Sequence, residues 1–314
     1  MSRLSSVVLV AAALITGCGS DEAPEPVPTD PGARSGHSLV FDAARGQLLL
    51  FGGRTVDGLQ SDLWTLSGAV WQPLFQGGPA ARRDAVLLYD SGRRRIVLHG
   101  GTGQGDVPLQ DTWEWGGAGW ASVPGTGPSE RRAAALTFSG STNRVLLFGG
   151  ESPQGEALRD TWAFDGNAWT LLDALGPANA ALPLLVSDPA ISAPLLLTLD
   201  RTSAPDAEGR YPQSAWRWNG ADWLAYGDPM PFSEQRAVVV AGEELLLFDG
   251  DDGSTWLSDH PGWSRVAETG PGTRTGFALA YDLTREAVML SGGLVEAVPR
   301  DDVWLWHDGW TRLR

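Results

Sequence analysis

The sequence predicts an all-β protein built from one structural unit repeated six times, and three observations carry this prediction. Twelve of the fifteen tryptophans form six pairs, five separated by seven residues and the last by six. The first members of the pairs recur at intervals of 49, 49, 54, 40 and 48 residues. Similar short apolar segments and turn residues stand between the pairs, and such a period indicates a repeat architecture. The pairs are Trp64 and Trp71, Trp113 and Trp120, Trp162 and Trp169, Trp216 and Trp223, Trp256 and Trp263, and Trp304 and Trp310.

An arginine, a glycine pair and an aspartate recur around the tryptophans. In four units an Arg precedes Gly-Gly by 18 residues, and Asp-x-Trp follows the glycines by nine or ten residues. Spacing this constant indicates one repeated structural element. The four sets are Arg34, Gly52, Gly53 and Asp62; Arg82, Gly100, Gly101 and Asp111; Arg131, Gly149, Gly150 and Asp160; and Arg274, Gly292, Gly293 and Asp302.

Short apolar segments between these landmarks predict four strands in each unit. In the first unit, residues 38–41 and 47–51 are apolar and are joined by a turn sequence, as expected of a hairpin. The third strand carries the first tryptophan, and the fourth begins at the second. The three remaining tryptophans stand two residues after a first tryptophan, so they lie on the same face of the third strand. Each unit is therefore predicted to be a four-stranded antiparallel sheet. These tryptophans are Trp115, Trp218 and Trp306.

Four strands, about 47 residues and a Gly-Gly signature per unit match the kelch pattern. The chain resembles a kelch-repeat β-propeller, and the resemblance implies a six-bladed β-propeller of four-stranded antiparallel blades. Unit five departs from the pattern because it retains Arg236 but has Asp249-Gly250 in place of Gly-Gly. Unit four has Leu199-Asp200 there, and Ser214 replaces the Asp. We place the propeller at residues 32–314, with blades at about 32–77, 78–126, 127–175, 176–227, 228–268 and 269–314.

The repeated aromatic and glycine residues suit the geometry of a propeller. Blades radiate from an axis and fill a wedge that widens outward, so large rings are needed between adjacent sheets. Glycine suits positions where one backbone bends or passes close to another. Because the first blade begins with its first strand and the last ends with its fourth, neither terminus offers a strand to complete the other end. We therefore expect blades 1 and 6 to meet through side-chain packing alone.

Residues 1–18 predict the signal peptide of a lipoprotein. Arg3 precedes an apolar stretch, residues 7–15, that is too short for a permanent membrane span but fits a secretory signal. Ile15-Thr16-Gly17-Cys18 resembles the lipobox of bacterial lipoproteins, although that family usually has Leu where Ile15 stands. The resemblance implies that Cys18 is lipidated and becomes the mature N-terminus; the alternative is an ordinary signal peptide with an incidental Cys. Cys18 is the only cysteine, so an internal disulfide is excluded.

Residues 19–31 are acidic, proline-rich and without periodicity, which predicts a solvated tether between the lipid and the propeller. The residue after Cys18 is Gly19 and not Asp, and by analogy with enteric bacteria this indicates the outer membrane. The predicted location is therefore the cell envelope of a Gram-negative bacterium. We expect the N-terminal lipid to be the only contact with the membrane.

The net charge is strongly negative, at −15 for the whole chain. Removal of Arg3 with the signal leaves 22 basic and 38 acidic residues, or −16. An acidic ring repels phosphate backbones, so the charge argues against nucleic-acid binding. Charge of this size also keeps an exported domain soluble, and we expect a monomer.

Five arginines at equivalent positions are the candidate ligand-binding residues. The repeat places them where each innermost strand begins, so symmetry should arrange them around one mouth of the central channel. In propellers that this chain resembles, the loops at that end form the binding face. Converging guanidinium groups could bind a carboxylate or an acidic peptide. The alternative is structural, with each Arg paired to a repeat Asp or to loop carbonyls. The five are Arg34, Arg82, Arg131, Arg236 and Arg274.

The sequence indicates no catalytic residue, metal or cofactor. Copper radical oxidases with a galactose oxidase-like kelch propeller need a Tyr crosslinked to a Cys, and Cys18 lies in the signal region. The four histidines lack metal-ligand spacing.

One enzyme class remains as an alternative, a periplasmic sialic acid mutarotase, in which an arginine would hold the sugar carboxylate beside Glu151 or Glu208. The loop at residues 201–213, which carries Glu208, is predicted either to cover part of the channel mouth or to have drifted in sequence.

The function that these observations favour is a lipid-anchored binding or interaction scaffold of the cell envelope without evident catalysis. Its partner would be an envelope protein or polymer, bound where the arginines and the loops after Gly-Gly meet. A deep pocket with a Glu beside two arginines would favour the sugar enzyme, whereas a broad, shallow surface would favour a macromolecular partner. A third hypothesis is that the ring is a spacer in a larger assembly.

Overall fold

A computed structural model describes residues 29–314 except 76, 179, 208, 228, 229 and 261. The predicted signal peptide, Cys18 and most of the predicted tether lie outside the described residues. Six four-stranded antiparallel sheets make up the structure, with a single short 3₁₀ helix, Gln104–Asp106, among the described residues. The prediction of an all-β six-bladed propeller is therefore confirmed. The described residues include no helix long and apolar enough to span a membrane.

Each blade uses its four strands in chain order, running from the propeller axis outward. The strands of blade 1 are Ser38–Asp42, Gln47–Phe51, Leu63–Ser67 and Val70–Phe75. Those of blade 2 are Val86–Asp90, Arg95–His99, Thr112–Trp115 and Trp120–Val123. Those of blade 3 are Ala135–Ser139, Arg144–Glu151, Ala157–Phe164 and Trp169–Asp173. Those of blade 4 are Ala181–Asp188, Ala193–Leu199, Tyr211–Trp218 and Trp223–Ala225. Those of blade 5 are Arg236–Ala241, Glu244–Asp249, Thr255–Ser258 and Trp263–Ala267. Those of blade 6 are Ala278–Asp282, Ala287–Ser291, Val303–Trp306 and Trp310–Arg312.

Five short strands lie outside this pattern, two pairs and a single strand. Arg54–Thr55 pairs with Gly58–Leu59 in blade 1, and Leu294–Val295 pairs with Val298–Pro299 in blade 6. The single strand, Met230–Phe232, pairs with the third strand of blade 4. It extends the sheet of blade 4 before the chain enters the first strand of blade 5, Arg236–Ala241.

The second tryptophan of a pair packs between two blades. Trp223 of blade 4 contacts Phe148 of blade 3, with ring centroids 5.6 Å apart, and Trp310 of blade 6 contacts Phe248 of blade 5 at the same distance. The indole Nε1 of Trp223 also donates a hydrogen bond to Thr161 of blade 3 at 2.8 Å. Aromatic rings therefore fill the wedge between sheets, as their recurrence predicts.

The glycine pair lies where adjacent blades come closest. In blade 1, Gly52 and Gly53 have φ of 65° and 90°, a region that residues with a side chain rarely adopt. A Cβ at Gly52 would lie 2.7 Å from the carbonyl oxygen of Arg82, and one at Gly53 would lie 2.8 Å from the Cβ of His37. Both backbone conformation and space therefore require glycine here.

Backbone hydrogen bonds close the ring. Arg34 N donates to the carbonyl of Arg300 at 3.0 Å, and Gly293 N donates to the carbonyl of Arg34 at 2.9 Å. Blades 1 and 2 are joined by the same two bonds, Arg82 N to Gln60 O at 3.0 Å and Gly53 N to Arg82 O at 2.9 Å. The expectation that side-chain packing alone joins blades 1 and 6 was wrong, because the repeat motif places these main-chain groups at this junction as it does between blades 1 and 2. Among the described residues, no strand of either blade pairs with the sheet of the other.

Candidate functional site

The first strands of all six blades surround a channel along the propeller axis. At the end where these strands begin, the residues around their first positions line a cavity of about 300 Å³, which contains charged as well as apolar side chains and which we call the channel mouth. Towards the other end the channel is wider, about 550 Å³, and is lined mainly by apolar side chains of the same strands. The charged groups of the channel therefore gather at the mouth. Its polar lining residues are His37, Asp84, Glu234 and Arg236.

Four of the five candidate arginines are buried in identical hydrogen-bonded cassettes. In blade 3, Arg131 Nη1 donates to the carbonyl of Gly149 at 2.8 Å, and its two Nη atoms contact the Asp160 carboxylate at 2.7 and 2.8 Å. The same carboxylate accepts a 2.6 Å bond from Trp162 Nε1. The motif Arg, Gly-Gly and Asp-x-Trp is thus one structural unit. The other three cassettes are Arg34 with Gly52, Asp62 and Trp64; Arg82 with Gly100, Asp111 and Trp113; and Arg274 with Gly292, Asp302 and Trp304.

These cassettes leave little for a ligand to bind. Arg82 and Arg131 are each 1% exposed, and their guanidinium groups already hold a bidentate carboxylate and a carbonyl. Burial alone would raise the pKa of Asp160, but hydrogen bonds from Arg131 and Trp162 hold it below its usual value. The ion pair is therefore intact at neutral pH. The geometry favours the structural alternative for Arg34, Arg82, Arg131 and Arg274.

Arg236 in blade 5 differs from the other four. Ser254 stands where they have an aspartate, and it accepts the indole hydrogen bond of Trp256 at 2.8 Å. Among the described residues Arg236 makes no ion pair within 4.0 Å; it contacts the carbonyls of Leu182 and Ser233 at 3.2 and 3.4 Å, and its Nε has no partner. Burial lowers the pKa of Arg236 to about 9, and the negative charges of Asp249 and Glu234 oppose this effect. Arg236 is therefore a buried cation in the wall of the channel mouth without a bound carboxylate.

Sequence reasoning missed the charged residues that follow the repeat arginines. Arg83 and Arg132 stand one position after Arg82 and Arg131, where the side chain turns outward from the cassette. Arg83 pairs with Asp84 and also with Asp106 at 3.1 Å. Burial raises the pKa of Asp84, and the neighbouring Arg83 guanidinium opposes this effect. The only sequence signal for these residues is an Arg-Arg pair in two of the six units.

Glu151 lies between two arginines beside the channel mouth. Arg132 binds its carboxylate with two hydrogen bonds, at 2.9 and 3.0 Å, and these bonds hold the pKa of Glu151 below its usual value. Glu151 and Arg201 line a small adjoining cavity of about 50 Å³. Arg201 itself pairs with Glu234 at 2.6 Å, which brings the start of the long blade 4 loop to the mouth. Glu208, the other candidate carboxylate of that loop, lies outside the described residues.

The histidines give no sign of a metal centre. Burial lowers the pKa of His37 and of His99 to about 3, with the charges of Arg34 and Arg131 respectively adding to the effect. Both rings are therefore neutral at neutral pH. Within residues 29–314, leaving out the six positions not described, no group of three or more potential ligands could hold a metal ion.

The fold and the channel mouth define the protein as a six-bladed β-propeller with a charged cavity on its axis. No protein-family model matches the sequence. No curated protein is significantly similar to it. Solved structures do match: that of YjhT superposes with a TM-score of 0.66 at 12% sequence identity and covers 91% of this chain and 99% of that chain. At this level of identity the similarity shows the fold alone.

Proposed function

We propose that the protein is a binding scaffold that receives an anionic group at the channel mouth, with Arg236 as the receiving cation. The observation that carries the proposal is the missing carboxylate: four repeat arginines bind an aspartate, and Arg236 does not. A buried guanidinium gains most from a bidentate carboxylate when water is excluded. A ligand carboxylate would therefore complete in blade 5 the ion pair that the chain supplies in the other blades.

The size and charge of the mouth favour a small acidic group over an extended acidic surface. A cavity of about 300 Å³ holds a side chain or a small molecule. Around it, Arg83, Arg132 and Arg201 are each paired with a carboxylate, so the rim is close to neutral within a strongly acidic protein. The partner we propose is an envelope protein or polymer that presents an acidic residue, and we propose kelch-type repeats as the origin of the scaffold.

A second candidate function is a carbohydrate-active propeller of the sialic acid mutarotase type. Glu151 beside Arg132 and Arg201 favours it, since this is the combination of one carboxylate and two arginines that such chemistry needs. Asp84, whose pKa is raised by burial, is a further carboxyl group that could exchange a proton with a ligand. Both candidates share the anion-binding step and differ in whether a reaction follows.

Titration followed by nuclear magnetic resonance separates the two candidates. We expect sialic acid and a triglutamate peptide to bind the purified protein, and neutral N-acetylglucosamine not to bind. Binding without faster exchange between the sialic acid anomers supports the scaffold. Faster exchange that disappears in Glu151→Gln supports the enzyme, and failure of both acids to bind would overturn the shared anion site.

We also propose that lipidation of Cys18 anchors the propeller to the outer membrane. Cys18→Ser should move the protein from the membrane fraction to the soluble fraction, because a single serine cannot accept the thioether-linked lipid. Fractionation of cells that express either form measures this. Detergent-dependent sedimentation of the variant would contradict lipidation as the anchor.

A further inference from the structure

Arginines in the first hairpin of several blades reach across to the next blade. In blade 1, Arg45 is paired with Asp42 of its own hairpin and donates to the carbonyl of Gly116 in blade 2. In blade 6, Arg285 is paired with Asp282 and donates to the carbonyl of Gly68 in blade 1 at 2.9 Å. These arginines fill the cleft between adjacent blades at the end of the propeller opposite the channel mouth.

Arg93 of blade 2 adds an aromatic contact in the same position. Its guanidinium carbon lies 4.9 Å from the centre of the Phe164 ring in blade 3, and its Nη1 donates to Glu114. Phe164 is the last residue of its third strand and is directly opposite Trp169, the second tryptophan of that blade. The guanidinium of Arg93 thus lies over the ring that faces the second tryptophan of the next blade.

Blade 5 cannot supply such an arginine. Its hairpin joins Ala241 to Glu244 through two residues, Gly242 and Glu243, whereas the hairpin of blade 1 joins Asp42 to Gln47 through four. The shorter turn removes both the aspartate and the arginine positions. The cleft that follows, between blades 5 and 6, contains a cavity of about 340 Å³.

The lining of this cavity resembles the surroundings of Arg93 in the cleft between blades 2 and 3, which are an aromatic ring and a carboxylate. Trp306 forms part of the wall and is directly opposite Trp310, so it occupies the ring position that Phe164 has in blade 3. Glu244, Glu286 and Asp308 also line the cavity, and all three are exposed. The cavity thus combines an aromatic wall with three carboxylates.

The two arginines nearest to this cavity in the sequence, Arg285 and Arg265, bind other groups and do not fill it. Arg285, on the hairpin of blade 6, points to the opposite cleft, where it binds Asp282 and Gly68. Arg265 of blade 5 lies over Trp256 at 5.7 Å and pairs with Asp252 at 3.3 Å. Neither residue lines the cavity.

We propose that the cleft between blades 5 and 6 binds an arginine side chain presented by a partner protein. The guanidinium stacks on Trp306 and is held by Glu244 and Glu286, and so takes the place of the hairpin arginine that blade 5 lacks. A planar guanidinium fits better than an ammonium group, because it stacks on a ring while its edge donates to carboxylates. This site is separate from the channel mouth and has the opposite charge preference.

A peptide titration tests this site. The probe is an N-acetylated, C-amidated Gly-Arg-Gly peptide, added to purified full-length protein whose tryptophan indole N–H signals are observed by nuclear magnetic resonance. We expect one indole signal, absent from the spectrum of Trp306→Phe, to shift with the arginine peptide. The citrulline peptide, which has the same shape without the charge, should not bind, and the lysine peptide should bind more weakly.

Matched variants locate the site. The double substitution Glu244→Gln and Glu286→Gln changes two exposed side chains and should weaken arginine-peptide binding by about tenfold or more. Glu243→Gln removes one charge from the same hairpin outside the cavity and should leave binding unchanged within about twofold. Absence of binding, equal binding of the citrulline peptide, or binding that survives the double substitution would each overturn the proposal. Failure of acids to bind at the channel mouth would leave it intact.

Discussion

Asp160→Ala is expected to lower the free energy of unfolding by about 3 to 5 kcal/mol, which is the usual cost of leaving a buried charge without its partner. Asp160 neutralises Arg131, whose side chain is 1% exposed, and it also accepts the indole hydrogen bond of Trp162. Truncation to Ala removes the carboxylate from the buried guanidinium and from the indole N–H in one step. Denaturant unfolding followed by tryptophan fluorescence measures the loss.

Two further variants identify the cause of this loss. Asp160→Asn keeps the shape of the side chain but not its charge, so it should retain part of the stability through its amide oxygen. Glu130→Gln removes an exposed charge next to Arg131 and should change the free energy of unfolding by less than about 0.5 kcal/mol. If Asp160→Ala costs no more than this control, the cassette does not stabilise the blade and the account of the repeat motif is wrong.

Trp223→Ala should also cost about 3 to 5 kcal/mol, because it empties the wedge between blades 3 and 4. The indole is buried against Phe148 and Trp218, with ring centroids at 5.6 and 5.0 Å, and it donates to Thr161 across the interface. Truncation leaves a cavity and an unpaired threonine hydroxyl. The measurement is the shift in the denaturant midpoint at unchanged slope.

The neighbouring residue supplies the control for this prediction. Leu224 follows Trp223 in the same strand, points to the opposite face and is 39% exposed. Leu224→Ala should therefore cost less than about 1 kcal/mol. Equal losses for the two variants would mean that stability comes from the strand as a whole and not from the aromatic wedge.

The fold could be predicted because the same residue pattern recurs in each repeat and predicts the same four-stranded sheet each time. Trp169 and Trp223 begin the fourth strands of their blades, as the spacing predicts, and the glycine pairs lie at close backbone approaches. Strands outside the repeat pattern were less predictable. The Met230–Phe232 strand follows blade 4, whose motif is degenerate, so no repeated residue in the sequence indicated that it pairs with that blade.

The candidate site was only partly predictable, for a geometric reason. Sequence equivalence correctly grouped Arg34 with Arg131 and Arg236, but it does not say where a guanidinium points. The structure places Arg131 inside a cassette and leaves Arg236 without a carboxylate. The difference arises because Ser254 occupies, in blade 5, the position of the repeat aspartate. In the sequence, the departure of blade 5 was recognised at Asp249-Gly250 and not at Ser254.

Other features of the site depend on distances that no local pattern encodes. Arg132 and Glu151 are 19 residues apart and meet because two adjacent strands run antiparallel. Arg201 and Glu234 are 33 residues apart and meet because the long loop of blade 4 returns to the axis. The cleft beside Trp306 is likewise a consequence of a hairpin two residues shorter than that of blade 1.

Calorimetric titration of sialic acid and of triglutamate tests the central claim, that Arg236 is the anion-binding cation of the channel mouth. The unmodified protein is compared with Arg236→Gln, with Arg236→Lys, which keeps the charge, and with Arg300→Gln, which removes an exposed arginine outside the cavity. Circular dichroism establishes that each variant is folded. If Arg236 binds the anion, affinity falls by about tenfold or more in Arg236→Gln, less in Arg236→Lys, and not at all in Arg300→Gln. Equal binding by all four proteins would contradict this claim.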